Sequence, residues 1–271
     1  MKNILSLIVL FLFPASLQAQ ERSLITLLPD KKFIPSFTAG GTEHRISYAK
    51  LLSEGSFIGS LGGFFPAALI TIGGKECLIG VGSTLYTTLQ SGGIKYNVTN
   101  ADFYVDLTFD VPVTEQAVIR FGAGHTSHHL VDDGVAAAGA GNVLNYARDY
   151  YQLFYVHRLP LIRGFLYGGT YYTYSFLINS RRDGQFLFQA GADGGNIPLY
   201  SSIALYGAVD FKVRSEVNYG STQSYQVGIR TMNELYRAIR FAYTYRTGID
   251  ERGQFYNRHI DQHSLGLFFD F

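Results

Sequence analysis

The C-terminal stretch Asp261-Gln262-His263-Ser264-Leu265-Gly266-Leu267-Phe268-Phe269-Asp270-Phe271 decides how the rest of the chain is read. His263, Leu265, Leu267, Phe269 and Phe271 fall on one parity, and Ser264, Gly266, Phe268 and Asp270 on the other. Successive side chains of a strand point to opposite faces. A period of two with one mostly apolar face therefore predicts a strand, here one that ends on an aromatic residue with no turn after it.

The same alternation recurs upstream. Phe103, Val105, Leu107 and Phe109 alternate with Asp102, Tyr104, Asp106, Thr108 and Asp110. Ile203, Leu205, Val209, Phe211 and Val213 alternate with Ala204, Tyr206, Asp210 and Lys212, and Ile239, Phe241, Tyr243 and Tyr245 with Arg240, Ala242, Thr244 and Arg246. Twelve such segments are expected, at 43–51, 56–72, 76–89, 101–110, 115–128, 145–158, 163–177, 184–193, 201–213, 221–232, 237–247 and 262–271. Many are longer than the roughly five or six residues usual in soluble sheets. About ten residues at a tilt is what crossing a bilayer requires. The reading is an all-β transmembrane antiparallel β-barrel of roughly twelve strands, with the apolar faces toward lipid and the polar faces toward the lumen. Asp102, Asp106 and Asp110 then share the interior with Arg120, Arg230, Arg240 and Arg246, either as a salt-bridge network or as the lining of a narrow pore.

Composition agrees. The 271 residues are 47% hydrophobic and 16% charged, with 20 Tyr, 21 Phe and 30 Gly, which suits strands, aromatic girdles and tight turns. A formal net charge of +1 gives no basic surface for nucleic acid. The lone cysteine, Cys77, has no internal disulfide partner. Met1 to Ala19 has the layout of a secretory signal peptide: Lys2, an apolar core from Ile4 to Phe13, and Leu17-Gln18-Ala19 before the expected cleavage. Residues 20–42 form a periplasmic lead-in and 43–271 the barrel. Short links such as Gly73-Gly74-Lys75 alternate with longer ones such as His129 to Leu144; short turns on the periplasmic side put both termini in the periplasm. The link Gly194 to Tyr200 is long for such a turn.

The tail closely resembles the C-terminal recognition signal of bacterial outer-membrane barrels, at Ser264, Gly266, Phe269 and Phe271. That resemblance implies a Gram-negative bacterium, insertion by the barrel-assembly machinery and residence in the outer membrane. Outer-membrane lipids and lipopolysaccharide are then the expected partners. Arg181, Arg182, Arg252, Arg258 and His259, in outward loops, offer charge to lipopolysaccharide phosphates.

One segment stands apart: Gly124-His125-Thr126-Ser127-His128-His129-Leu130-Val131-Asp132-Asp133. It resembles the hallmark His-x-Ser-Ser-His-Leu-Gly-Asp-Glu of a family of outer-membrane proteins known as domain of unknown function 1207. The match holds at His125, Ser127, His129, Leu130 and Asp132, and departs at His128, Val131 and Asp133. Phe33-Ile34-Pro35-Ser36-Phe37-Thr38-Ala39 is similar to the family's N-terminal segment. The resemblance supports a barrel and implies no activity.

The His-x-Ser pair is also similar to that of outer-membrane phospholipase A and lipid A deacylase barrels. Residues i and i+2 share a face, so an imidazole there can serve a hydroxyl as its base. This yields Ser127 as nucleophile and His125 as base on the outward face. The orienting acceptor is Asn145, Asp149 or Asp132; a hairpin pairing His129 with Asn145 sets Asp149 opposite His125. The same stretch supplies metal ligands in His128, His129, Asp132 and Asp133, with calcium favouring the carboxylates. Three functions stay open: a structural or interaction barrel, a serine-type lipid acyl hydrolase at the outer leaflet, and a narrow channel.

Overall fold

The computed structural model describes residues 25–91, 95–139, 143–178, 185–231 and 237–271. The signal peptide expected at 1–19, the start of the lead-in, and Arg181 and Arg182 lie outside the described residues. The strands are β1 (Ile25–Leu27), β2 (Ile46–Leu51), β3 (Phe57–Ile72), β4 (Lys75–Ser91), β5 (Tyr96–Pro112), β6 (Ala117–Leu130), β7 (Tyr146–Leu159), β8 (Gly164–Ile178), β9 (Gln185–Tyr200), β10 (Ile203–Arg214), β11 (Gly220–Thr231), β12 (Ala238–Ile249) and β13 (His259–Asp270). One short helix, α1, spans Asp132–Ala138.

From β2 to β13 each strand pairs antiparallel with the next, and β13 returns to β2 through Phe269↔Ile46 to Ser264↔Leu51. The result is a closed ring of twelve strands, with β1 added on the edge of β3. Closure supplies every strand with two neighbours and is how sheets avoid an exposed edge in hydrocarbon. Among the described residues no helix is long and apolar enough to cross a membrane.

Side-chain parity divides as the sequence predicts. Phe103, Val105 and Leu107 are exposed on the outside, whereas Asp102 and Asp110 are fully buried inside. The outer surface carries an apolar belt that includes Phe121, Leu153, Leu166, Phe188, Phe211, Val227, Phe241 and Leu267. An apolar surface wrapped right round a closed barrel is suited to lipid rather than water.

The inside is filled. Buried pairs join Arg120 to Asp110 at 2.6 Å, Arg230 to Asp193 at 2.6 Å, Lys212 to Glu251 at 2.7 Å and Arg240 to Asp270 at 2.5 Å. Such charges are tolerated away from water only when paired and hydrogen-bonded.

Three features depart from the sequence reading. First, β9 runs on to Tyr200, so the suspect link shrinks to Ser201 and Ser202. The Gly-rich stretch is absorbed by a bulge: Gly195 takes φ +71°, and the β9–β10 register shifts between Leu205 and Gly207. Second, β1 has no counterpart in the expected strands. Third, the part of the lead-in from Phe33 onward lies within the barrel walls instead of outside them. Phe33, Ile34, Phe37 and Ala39 are buried. Phe37 stacks on Tyr167 with centroids 3.8 Å apart and also meets Phe154 at 5.3 Å. His44 is held between Asp106, 2.7 Å from its Nε2, and Thr84, 3.0 Å from its Nδ1. Arg45 donates to the carbonyls of Thr38 and Gly40 and lies over the Phe268 ring.

Four connections at one end of the barrel are short (Gly73-Gly74, 113–116, 160–163, 201–202), and the two longest, 131–145 and 250–258, lie at the other. Ile25 and Phe271 both lie at the short-turn end. At the loop end the β12–β13 connection folds inward. Arg252 pairs with Asp250 at 2.6 Å and donates to Thr88, so it turns into the mouth instead of outward as the loop reading suggested.

Candidate functional site

β6 keeps strict alternation to its last residue, and this sorts the His-rich stretch into two faces. His125 and His129 are exposed outside, Ser127 is half-buried on the same side, and Thr126 and His128 are fully buried inside. Gly124 precedes them for a reason of space. A Cβ there would stand 2.2 Å from Asp106 Oδ1 and 2.6 Å from the Tyr150 ring. Gly124→Ala should therefore destabilise the barrel by about 1–3 kcal/mol through overpacking. Urea titration of the refolded variant checks this; an unchanged midpoint would mean Tyr150 moves aside freely.

On the outer face, β6 and β7 pair with His125 opposite Asp149. His125 Nδ1 lies 2.7 Å from Asp149 Oδ1. Asp149 accepts only if Nδ1 carries the proton, which leaves Nε2 with its basic lone pair. This is the tautomer a base needs to take a proton from a hydroxyl. Ser127 follows two residues on, set between Phe103 of β5 and Ala147 of β7 by register. No hydrogen bond joins His125 to Ser127 in the described structure; in the absence of substrate such contacts are often long. The surroundings are apolar and aromatic: Phe103 and Val105 on one side, and Tyr151 stacked on Tyr174 at 4.7 Å on the other.

The remaining candidates separate. Asn145 precedes β7, outside the β6–β7 pairing that ends at His128↔Tyr146, so Asp149 and not Asn145 meets the imidazole. Asp132 opens α1, and its side chain lies outside those described. The metal set is divided by the strand itself. His128 faces the lumen with its Nε2 2.9 Å from Thr126 Oγ1, while its Nδ1 accepts from the Gly253 N–H at 3.0 Å and lies 3.0 Å from Asp102 Oδ1. His129 faces outward against Phe103. Asp133 accepts from the Val98 N–H at 3.1 Å. Adjacent residues of one strand cannot converge on one ion, so the site expected for calcium or another metal at His128 and His129 is not formed. Among the described residues no three His, Cys, Asp or Glu side chains cluster as ligands.

The sequence reading missed the His44–Asp106–Thr84 contact. Its only signal would have been the even parity of Thr84 and Asp106, with nothing to bring His44 between them.

A family model matches residues 54–271, which take in β3 to β13, eleven of the twelve strands of the ring. The chain belongs to that family, described as Protein of unknown function (DUF1207). The match gives the DUF1207 barrel both strands of the His125–Asp149 site. No curated protein matches the chain. Among solved structures, it is similar to a crystal structure of OccD1 (OprD), at 12% identity and a TM-score of 0.32. That alignment covers 80% of this chain and 65% of the other, so the DUF1207 chain spans just under two thirds of its length.

Proposed function

We propose that this DUF1207 protein is an integral outer-membrane barrel that hydrolyses lipid acyl esters at its outer wall. The apolar belt, the closed ring and the aromatic C-terminal strand support the location. The observation that carries the activity is the 2.7 Å contact between His125 Nδ1 and Asp149, with Ser127 on the same face. A polar pair on a lipid-facing surface is costly unless it works, and the loop end of the wall is where ester groups of the outer leaflet would lie.

In the reaction, His125 Nε2 takes the proton from Ser127 Oγ as that oxygen attacks the ester carbonyl. The tetrahedral adduct collapses, the acyl C–O bond breaks, and the imidazolium returns its proton to the departing alcohol. Water, deprotonated by the same nitrogen, then releases the fatty acid from Ser127. Asp149 holds the ring in its tautomer and stabilises the imidazolium. Phe103, Val105, Tyr151 and Tyr174 line the acyl path.

The test is fatty-acid release from phospholipid and from lipid A by the refolded barrel, with calcium or with chelator, beside Ser127→Ala. Release that the variant loses is the expected result. No release under either condition, from a barrel shown to be folded, sinks the proposal and leaves a barrel with a structural or interaction role.

A further inference from the structure

The wall is incomplete at the short-turn end. β2 pairs with β3 only from Lys50↔Phe57 to Ser47↔Ser60, and β1 only from Leu27↔Ala68 to Ile25↔Ile70. Leu28 N–H adds one bond to Ala67 O. Leu61 to Pro66 thus have no ladder partner on that edge among the described residues. The end of β13 approaches the same seam, where the Phe271 ring passes 3.9 Å from the position a Gly63 Cβ would take. An unpaired edge inside hydrocarbon is disfavoured, so whatever sits at this seam matters to the fold.

Behind the seam lies a cavity of about 1290 Å³, open to the short-turn mouth. Leu28, Phe33, Phe64, Phe65, Pro66 and Phe271 give it an apolar wall. Leu61 and Phe65, both more than half exposed, continue that wall onto the outer belt. The polar part is basic, and two of its cations are matched. Lys31 pairs with Glu76, and Arg237 with Asp30. Lys32 makes no ion pair among the described residues; its ammonium stands 5.2 Å from the centre of the Phe64 ring. Burial, with Arg120 and Arg237 close by, brings its pKa down to about 8 against the opposing pull of Asp270. An ammonium in such a place is short of an anion.

We propose that this cavity binds a long-chain fatty carboxylate, its head on Lys32 and its chain along Phe64, Pro66 and Phe271. A part-buried cation with no ion pair among the described residues suits an anionic head, and an apolar cleft with a polar anchor is the usual form of a site for such a molecule. The seam gives the chain a route from the lipid-facing surface. The site lies at the opposite end of the barrel from His125, and the inference does not rest on the hydrolase reading.

The experiment uses the full chain in phosphatidylcholine nanodiscs, titrated with cis-parinaric acid and displaced with palmitate. Saturable binding is expected, weakened at least about tenfold by Lys32→Met and restored by Lys32→Arg. Val113→Trp, which fills the cavity without changing its charge, should also weaken it, whereas Ser127→Ala should not. For hexadecanesulfonate, whose charge is constant, affinity should fall by about tenfold between pH 7 and pH 9 as Lys32 loses its proton. Wild-type affinity in Lys32→Met would overturn the proposal. So would phosphatidylglycerol displacing the probe as well as palmitate does, since the ligand would then be a phosphodiester headgroup.

Discussion

Ser127→Ala should reduce the rate of fatty-acid release by about 10⁴–10⁶, the scale seen when a serine hydrolase loses its nucleophile. Asp149→Ala should cost on the order of 10⁴, because an imidazole without its acceptor no longer holds the productive tautomer. Each factor of ten is about 1.4 kcal/mol of barrier, so these are losses of roughly 5 kcal/mol or more in the transition state. The folded state should hardly notice. The side chains of His125 and Asp149 are 50% and 38% exposed, so truncating either leaves no cavity in the barrel. The separation of the two effects is the useful part: a merely structural pair would not show the rate loss. A fluorophosphonate probe gives a second readout, labelling the wild type at Ser127 and Asp149→Ala far more slowly. Unchanged fatty-acid release in Ser127→Ala would end the hydrolase reading whatever Asp149 does.

How much of this was legible in the sequence depends on what parity can report. Alternation placed Asp102, Asp106 and Asp110 inside and Phe103, Val105 and Leu107 outside, because it states which face each residue takes and nothing more is needed. It also placed His125 and Ser127 outward. One assumed hairpin pairing, His129 with Asn145, was enough to bring Asp149 opposite His125, as the β6–β7 register has it. The same rule spoke against a shared metal site at His128 and His129. A strand ending at residue 128 leaves His129 in a loop, whereas β6 holds its pairing with β5 to Leu130. The filling of the lumen had no such signal. Pro35, Gly40 and Gly41 interrupt any period, so residues 33–42 read as part of the lead-in, and the first strand is expected from 43, whereas β2 begins at Ile46. Nor does periodicity reveal β1, three residues long, or a bulge that lets β9 carry on through Gly194 and Gly195.

That interior segment yields the second large effect. Phe37→Ala should destabilise the barrel by about 3–5 kcal/mol, the usual cost of truncating a buried phenylalanine. Phe37 is packed face to face on Tyr167 and touches Phe154 and Phe165, which belong to two neighbouring strands, β7 and β8. Those rings form the largest apolar cluster in the lumen, together with Leu78, Val118 and Val156. Removing one leaves a cavity that the strands cannot close, since their spacing is fixed by the hydrogen-bond ladder all round the ring. Phe65→Ala is the matching control: it removes an outward-facing ring and should cost less. The measurement is urea unfolding in lipid, with hydrogen exchange of residues 33–45 as the local readout. In Phe37→Ala those amides should exchange faster while the strand amides stay protected, because the segment is tied to the wall by side chains such as His44 and Arg45 and not by a strand ladder. The result bears on the channel reading as well. If residues 33–45 are what closes the lumen, the wild type should be silent in planar bilayers and Phe37→Ala should conduct in bursts. A wild type that conducts steadily would mean ions pass beside the segment, and the paired charges along the wall would then be the lining of a pore.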